Sequence, residues 1–328
     1  MTSASVGRPR LIALDWGTTH ARAYLLGGSA DGPVVRDQSS GEGILSVAAD
    51  DPDRDGAFAA ILERMVGGFL DEYPGLPMIA CGMIGASQGW RTAQYRTLPT
   101  ELAGAGGLVV IDTPRGPLPV IAGVKKSAPE PDVIRGEETQ LAGLAPGLPE
   151  GQASTVLLPG THSKWALVRD GRLLDFHTAM TGEVFALLSG DSMVARVAEP
   201  PAPGHDWRIG FDRGLELATG GVPGDVLFKA FTIRSAVLDE QLPPTQVIDC
   251  LSGLLIGSEV ATRSVAQTFE GPILVCGGEA LVERYRRALD RAGLASRPAP
   301  ADATVRGLWH SALGAGLIKE EQWLTSLA

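Results

Sequence analysis

Cysteine is scarce in this chain of 328 residues: Cys81, Cys250 and Cys276 are far apart and follow no metal-ligand spacing. We read them as reduced, small core residues of a cytoplasmic protein, which excludes a disulfide framework. Positive charge is also short. The formal net charge is −10, which argues against nucleic acid and against anionic membrane surfaces as partners. A local basic pocket can still hold an anionic small molecule. No apolar run approaches the length of a membrane span, and Met1–Arg10 lacks the apolar stretch of a secretion signal. No regular internal repeat is visible. No basic helix-turn-helix pattern precedes residue 11, which counts against a DNA-binding regulator.

Apolar residues make up 44% of the chain, and 42 Gly with 23 Pro indicate many tight turns. The length predicts two domains. Leu11–Asp15 is a short apolar strand closed by an acid. Gly17-Thr18-Thr19 then turns the chain into a second apolar run, Ala23–Leu26. Such a turn presents backbone N–H groups and hydroxyls to an anion, and a carboxylate beside it suits a metal ion that bridges phosphates. Helical periodicity over 57–73 ends at Pro74-Gly75, and buried strands are expected at 76–81, 109–112 and 120–123. Residues 134–144 begin as a turn and become a helix. Helices alternating with apolar strands indicate an α/β architecture.

Residues 145–152 are the best linker, rich in Pro and Gly, so we expect domains at 1–148 and 149–328. The second half opens like the first. A strand at 155–158 leads into the turn Pro159–Ser163, and strands at 164–169 and 172–176 are joined by Asp170-Gly171, a strong hairpin dipeptide. Helices are expected at 182–197, 224–240, 246–267, 279–292 and 304–319, with a Pro-rich loop at 200–206 and a buried strand at 273–276 closed by Gly277-Gly278.

Three glycine-centred turns, each fed by an apolar strand, are what phosphoryl transfer needs. Donors hold phosphate, a carboxylate serves Mg²⁺ and another carboxylate orients the attacking hydroxyl. A glycine pair before a helix lets a purine lie close to the backbone. The order of these turns resembles the actin-like ATPase and sugar kinase superfamily. The segments Leu14-Asp15-Trp-Gly-Thr-Thr, Cys81-Gly82-Met-Ile-Gly85-Ala-Ser-Gln-Gly-Trp90, Arg135-Gly-Glu-Glu-Thr-Gln140 and Leu158-Pro-Gly-Thr-His-Ser-Lys-Trp165 are similar to the 2-dehydro-3-deoxygalactonokinase family within it.

The resemblance spans residues 11 to about 317. It implies two actin-like, ribonuclease H-like domains with an active-site cleft between them. It also implies ATP-dependent phosphorylation of 2-dehydro-3-deoxy-D-galactonate at the 6-hydroxyl, in D-galactonate breakdown, with Mg²⁺. Asp15, Gly17, Thr18 and Thr19 match the first phosphate loop, and Gly160, Thr161 and His162 the second. Gly277 and Gly278 match the adenosine loop. Gly82, Met83 and Gly85 match a segment near the sugar. The catalytic carboxylate is Glu137 when aligned on Gly136, and Glu138 when aligned on an acid-Thr pair, towards which the reading leans. Leu158-Pro159 stands where many relatives carry an Asp, which leaves Asp15 as the main protein carboxylate for the metal. Arg22, Arg91, Arg135 and Lys125 are candidates to pair with the carboxylate of the sugar acid, and Trp90 to pack on its ring. The competing readings are a kinase of the same fold for another sugar and a non-catalytic nucleotide-binding regulator. Oligomeric state is left open, a homodimer included.

Overall fold

The computed structural model describes residues 7–29, 32–104, 106–201, 203–219 and 225–319. Residues 1–6 of the N-terminal stretch and the first position of the helix expected at 224–240 lie outside them. The chain forms two compact units. Of the described residues, the first comprises those up to Gly151, Val168–Asp175 and those from Asp302 to Lys319. The second comprises Gln152–Leu167 and Phe176–Ala301.

The first unit opens with β1 (Pro9–Trp16), β2 (His20–Ser29), β3 (Gly32–Glu42), α1 (Arg54–Glu72) and β4 (Met78–Gly82). Short strands β5 (Arg96–Thr97) and β6 (Thr100–Glu101) follow, then the hairpin of β7 (Leu108–Thr113) and β8 (Gly116–Ile121). After these come β9 (Val124–Lys126), β10 (Asp132–Ile134) and α2 (Glu137–Leu144). The main sheet runs β3-β2-β1-β4-β8-β7. β1 is antiparallel to β2 and parallel to β4, and β4 is parallel to β8. The sequence reading expected two strands here and missed β3, whose largely polar, exposed residues carry no buried run. α1 starts where the Asp53 side chain accepts the Gly56 N–H at 3.0 Å, a side-chain cap for an orphan helix donor. Its apolar stripe of Phe58, Ile61, Leu62, Met65 and Val66 covers one face of the sheet.

The second unit contains β11 (Ser154–Leu158), most of β12 (Ser163–Arg169), the last half of β13 (Arg172–Ala179), α3 (Thr181–Gly190), α4 (Trp207–Thr219), α5 (Val226–Leu238) and α6 (Val247–Ala266). β14 (Ile273–Val275), α7 (Glu279–Arg291) and β15 (Ser296–Pro298) complete it. The sheet runs β15-β14-β11-β12-β13-β6, with β14 parallel to β11 and to β15. This repeats the first unit: three successive strands joined by turns, then two parallel strands beside the first of them. That order is the ribonuclease H-like pattern of actin-like domains. The tip of the β12–β13 hairpin, with Asp170 and Gly171 both at positive φ, is the two-residue turn expected from the sequence.

Three differences from the sequence reading have physical causes. The helix expected at 182–197 stops at Gly190, and a single 3₁₀ turn, Ala195–Val197, follows. α4 was not foreseen, because Gly210 and Gly214 depress helix propensity. In the structure these glycines are contact points. A Cβ on Gly214 would lie 2.1 Å from the Cys250 carbonyl oxygen, and one on Gly253 2.0 Å from that of Phe211. The helix exists because its backbone docks directly on α6. Lastly, α8 (Ala303–Gly314) belongs to the first unit and not to a domain running from 149 to the end. Val305, Leu308, Trp309 and Ala312 fill a core with Leu11, Ala13, Leu26, Ile79 and Cys81.

Candidate active site

The sequence-predicted residues fall into two groups, one in each unit. In the first, β1 delivers Asp15 to a strand end opposite Arg22 on β2 and Cys81 on β4. The Cys81 thiol approaches Asp15 Oδ1 at 3.9 Å. Burial pushes the Asp15 carboxyl above the usual range, and the charge of Arg22 partly offsets this. The turn after it is braced from outside. The carbonyls of Gly17, Thr18 and Thr19 accept the N–H groups of Ile44, Leu45 and Gly43 at 3.1, 3.1 and 2.9 Å. A Cβ on Gly43 would lie 2.3 Å from the Thr18 oxygen, so only glycine lets this brace close. Among the described residues the N–H groups of Thr18 and Thr19 donate to no backbone carbonyl. The Gly17 N–H closes the turn on the His20 carbonyl at 2.9 Å, and the two adjacent N–H groups left over can receive an anion.

β4 ends at Gly82, which sits at φ 91, where a side chain would also strike the Trp16 carbonyl oxygen at 2.8 Å. Met83–Gly85 then forms one 3₁₀ turn. Gly85 lies against Arg135, since a Cβ there would come within 2.9 Å of Nη1. Arg135 is held by Nη2 on the Ala93 carbonyl at 2.9 Å, and its guanidinium carbon stands 4.4 Å from the centroid of the Tyr95 ring. Nε and Nη1 are buried without a hydrogen-bond partner among the described residues. An unpaired buried cationic donor is costly, and a carboxylate ligand would relieve it.

Gly136, at φ 106, turns the chain into α2. The two acids that follow are treated differently. Glu138, towards which the sequence reading leaned, is 0% exposed. It accepts the Gly136 N–H at 2.7 Å and the Thr139 hydroxyl at 3.2 Å. Burial, reinforced by the neighbouring Glu137 charge, pushes its carboxyl up to about 7. Glu137 is half-buried and accepts the Arg135 N–H at 3.0 Å.

Other candidates are already engaged. Arg91 pairs both guanidinium nitrogens with the two oxygens of Asp55 at 2.6 Å. Trp90 donates to the same carboxylate at 3.1 Å and stacks on Phe58 at 5.7 Å within the core. Trp90 is a core residue, and Arg91 is taken up by its ion pair with Asp55. Arg22 and Lys125 are exposed. The sequence reading missed Arg96. It is partly buried, donates to the Glu101 carbonyl at 2.7 Å and leaves Nε and Nη2 unpartnered among the described residues. Its charge acts on Glu138. Nothing in the string Tyr95-Arg96-Thr97 distinguishes it from an ordinary strand arginine.

In the second unit, β11 leads into Pro159–His162. A Cβ on Gly182 would lie 2.3 Å from the Gly160 carbonyl oxygen, so the first turn of α3 rests on this loop. The Glu183 N–H donates to the Thr161 carbonyl at 2.9 Å, and the Glu183 carboxylate meets His162 Nε2 at 2.5 Å. Lys164 is buried and donates to the His162 carbonyl at 3.0 Å. Gly277, after β14, comes within 3.4 Å of the Pro159 carbonyl oxygen when given a Cβ, while Gly278 faces open space and begins α7. Beside these loops is a cavity of about 180 Å³. Gly160, Thr181 and Gly182 form one end of it, and residues of α3, α6 and α7 form its walls.

The 2-keto-3-deoxy-galactonokinase family matches residues 15–311, a span that includes all of these segments. The chain belongs to the 2-keto-3-deoxy-galactonokinase family. "2-Keto" and "2-dehydro" name the same sugar acid. A protein of Escherichia coli (strain K12) named 2-dehydro-3-deoxygalactonokinase is 31% identical over 286 residues, covering 87% of this chain and 90% of that one. A Rhizobium meliloti (strain 1021) protein named probable 2-dehydro-3-deoxygalactonokinase is 33% identical over 305 residues, 90% of this chain and 93% of that one. A Sinorhizobium meliloti crystal structure provisionally assigned the same activity superposes with a TM-score of 0.79 at 31% identity, covering 92% of this chain and 98% of that one. As a member of a 2-keto-3-deoxy-galactonokinase family, the chain is a carbohydrate kinase of α/β, actin-like fold, and its family implies use of ATP. No described helix is long and apolar enough to cross a membrane.

Proposed function

We propose that this protein transfers the γ-phosphoryl group of ATP to the 6-hydroxyl of 2-dehydro-3-deoxy-D-galactonate. The observation that carries this is the Gly17–Thr19 turn, whose three carbonyls are used while the Thr18 and Thr19 N–H groups donate to no backbone carbonyl among the described residues, beside the Asp15 carboxylate. It supplies phosphate donors and a metal-facing carboxylate at one strand end, as phosphoryl transfer requires. Among the described residues no three His, Cys, Asp or Glu side chains are grouped to hold a metal. That fits Mg²⁺ arriving on the nucleotide and held by Asp15 and water, since Mg²⁺ is commonly bound through one or two carboxylates and substrate phosphates. Mg²⁺ supplies charge neutralisation across the phosphates.

Glu137 is our choice for the residue that orients the hydroxyl and accepts its proton. A carboxylate enclosed as completely as Glu138 offers no face to a substrate, whereas Glu137 has one. Both sit in the first turn of α2, where the helix dipole favours the charged form. Arg135, with two unpaired nitrogens next to Gly85, is the group we assign to the substrate carboxylate. In the second unit we assign Gly160–His162 and Gly277-Gly278 to the nucleotide, together with the cavity that Gly160 lines.

The test is ADP release with Mg-ATP and the sugar acid. We expect release well above the substrate-free rate, and a product phosphorylated at the 6-position. Turnover with xylulose or glycerol but not with the acid would overturn the substrate. Release that never exceeds the substrate-free rate would leave a nucleotide-binding regulator instead.

A further inference from the structure

One wall of the cavity in the second unit is unlike the rest. Phe185, Leu255, Ile256 and Leu281 make most of the lining apolar. The Tyr285 hydroxyl, also on this wall, is engaged elsewhere. It meets Ser163 Oγ at 2.6 Å and donates to buried Glu259 at 2.6 Å. Arg284 lines the same cavity and is held in one plane. Its Nη2 donates to Asp249 Oδ1 at 3.0 Å, and Asp249 is fixed in turn by His205 Nε2 on Oδ2 at 2.7 Å. The guanidinium carbon stands 4.3 Å from the Trp207 ring centroid and 5.5 Å from that of Phe211, and neither ring lines the cavity. Nη1 is buried with no partner among the described residues.

A guanidinium tied by one nitrogen to Asp249 and set 4.3 Å from an indole outside the cavity is held in place where it lines the cavity wall. A structural ion pair with Asp249 would need neither the ring backing nor a place in the cavity wall. A guanidinium held in this way stacks on a flat aromatic ring. We propose that Arg284 is the base-binding wall of the nucleotide site. The purine of ATP packs against the part of its guanidinium that lines the cavity. The proposal rests on the nucleotide reading given above and adds the residue that holds the base.

The experiment titrates wild-type protein and Arg284→Lys with ADP and with adenosine by calorimetry, and measures inhibition by tripolyphosphate and KM for the sugar acid. Lysine keeps the charge and loses the plane. The expected result is a loss of at least about tenfold in affinity for both ADP and adenosine, with tripolyphosphate inhibition and the sugar-acid KM unchanged. Trp207→Leu, which removes the backing ring, should weaken adenosine in the same direction, and it serves in place of Arg284→Lys if that variant does not fold. Unchanged adenosine affinity in the variant overturns the proposal. So does an equal loss for tripolyphosphate, which would make Arg284 a phosphate ligand. Wild-type protein that binds neither ADP nor adenosine overturns the nucleotide reading itself.

Discussion

Gly307 of α8 lies so close to Thr139 of α2 that a Cβ at 307 would fall 1.7 Å from the Thr139 carbonyl oxygen. Gly143 is its counterpart, where a Cβ would lie 2.0 Å from the Ala303 carbonyl oxygen. The two helices touch backbone to backbone, and the contact sits one residue from Glu138. Gly307→Ala should therefore cost about 1–3 kcal/mol, as overpacking does in a close-packed core. Chemical denaturation checks this. An unchanged midpoint would mean that the helices separate without penalty.

Asp15→Asn should reduce turnover by at least about 100-fold while leaving thermal stability unharmed. Burial raises the Asp15 carboxyl, so a neutral amide of the same shape is at no disadvantage in the folded state. Paired measurements of kcat and melting temperature check it. Near-wild-type kcat would remove Asp15 from the mechanism.

Glu137→Gln and Glu138→Gln should separate. For Glu137→Gln we expect kcat to fall about 100-fold or more, the scale of a lost general base. For Glu138→Gln the kinetic loss should be smaller. Small, equal losses in both variants would mean that neither acid handles the hydroxyl.

Glu138 also carries a pH signature. Its folded-state value is about 7, against about 4.3 for an unperturbed glutamate. The native state thus keeps a proton that the unfolded chain has released. The stability this provides is complete below about pH 4.3 and is lost as pH rises through about 7. Wild type should lose stability across that window relative to Glu138→Gln, by on the order of 3 kcal/mol. Denaturation midpoints of both proteins at several pH values check it, and parallel curves would refute it.

Arg135→Lys should raise KM for the sugar acid about 10- to 100-fold, the scale of a lost charge-assisted pair, with KM for ATP unchanged. Steady-state kinetics with each substrate varied in turn checks it. Equal effects on both KM values would reduce Arg135 to a support for the Ala93–Tyr95 segment.

Local chemistry made much of this molecule legible in its sequence. An apolar run closed by a small polar turn has few backbone solutions. Hence β1 with Asp15 at its end, β11 before Gly160, the Asp170-Gly171 hairpin and Gly136 before α2 could all be read directly. Family membership was legible for the same reason, since its motifs are contiguous segments.

Tertiary structure decided what depends on residues far apart in the chain. α4 forms because Gly210 and Gly214 meet α6, a docking that no propensity reveals. α8 joins the first unit because Gly307 and Gly143 let two backbones touch. Arg91 and Trp90 are occupied by Asp55, from a helix more than thirty residues earlier. Glu137 and Glu138 are adjacent and chemically alike, and only packing buries one and leaves the other reachable. The sequence determined which chemistry is present, because turns and strand ends are local. Which carboxylate stays accessible and which arginine is buried short of partners depends on what each side chain meets in the fold, and only the tertiary structure decides that.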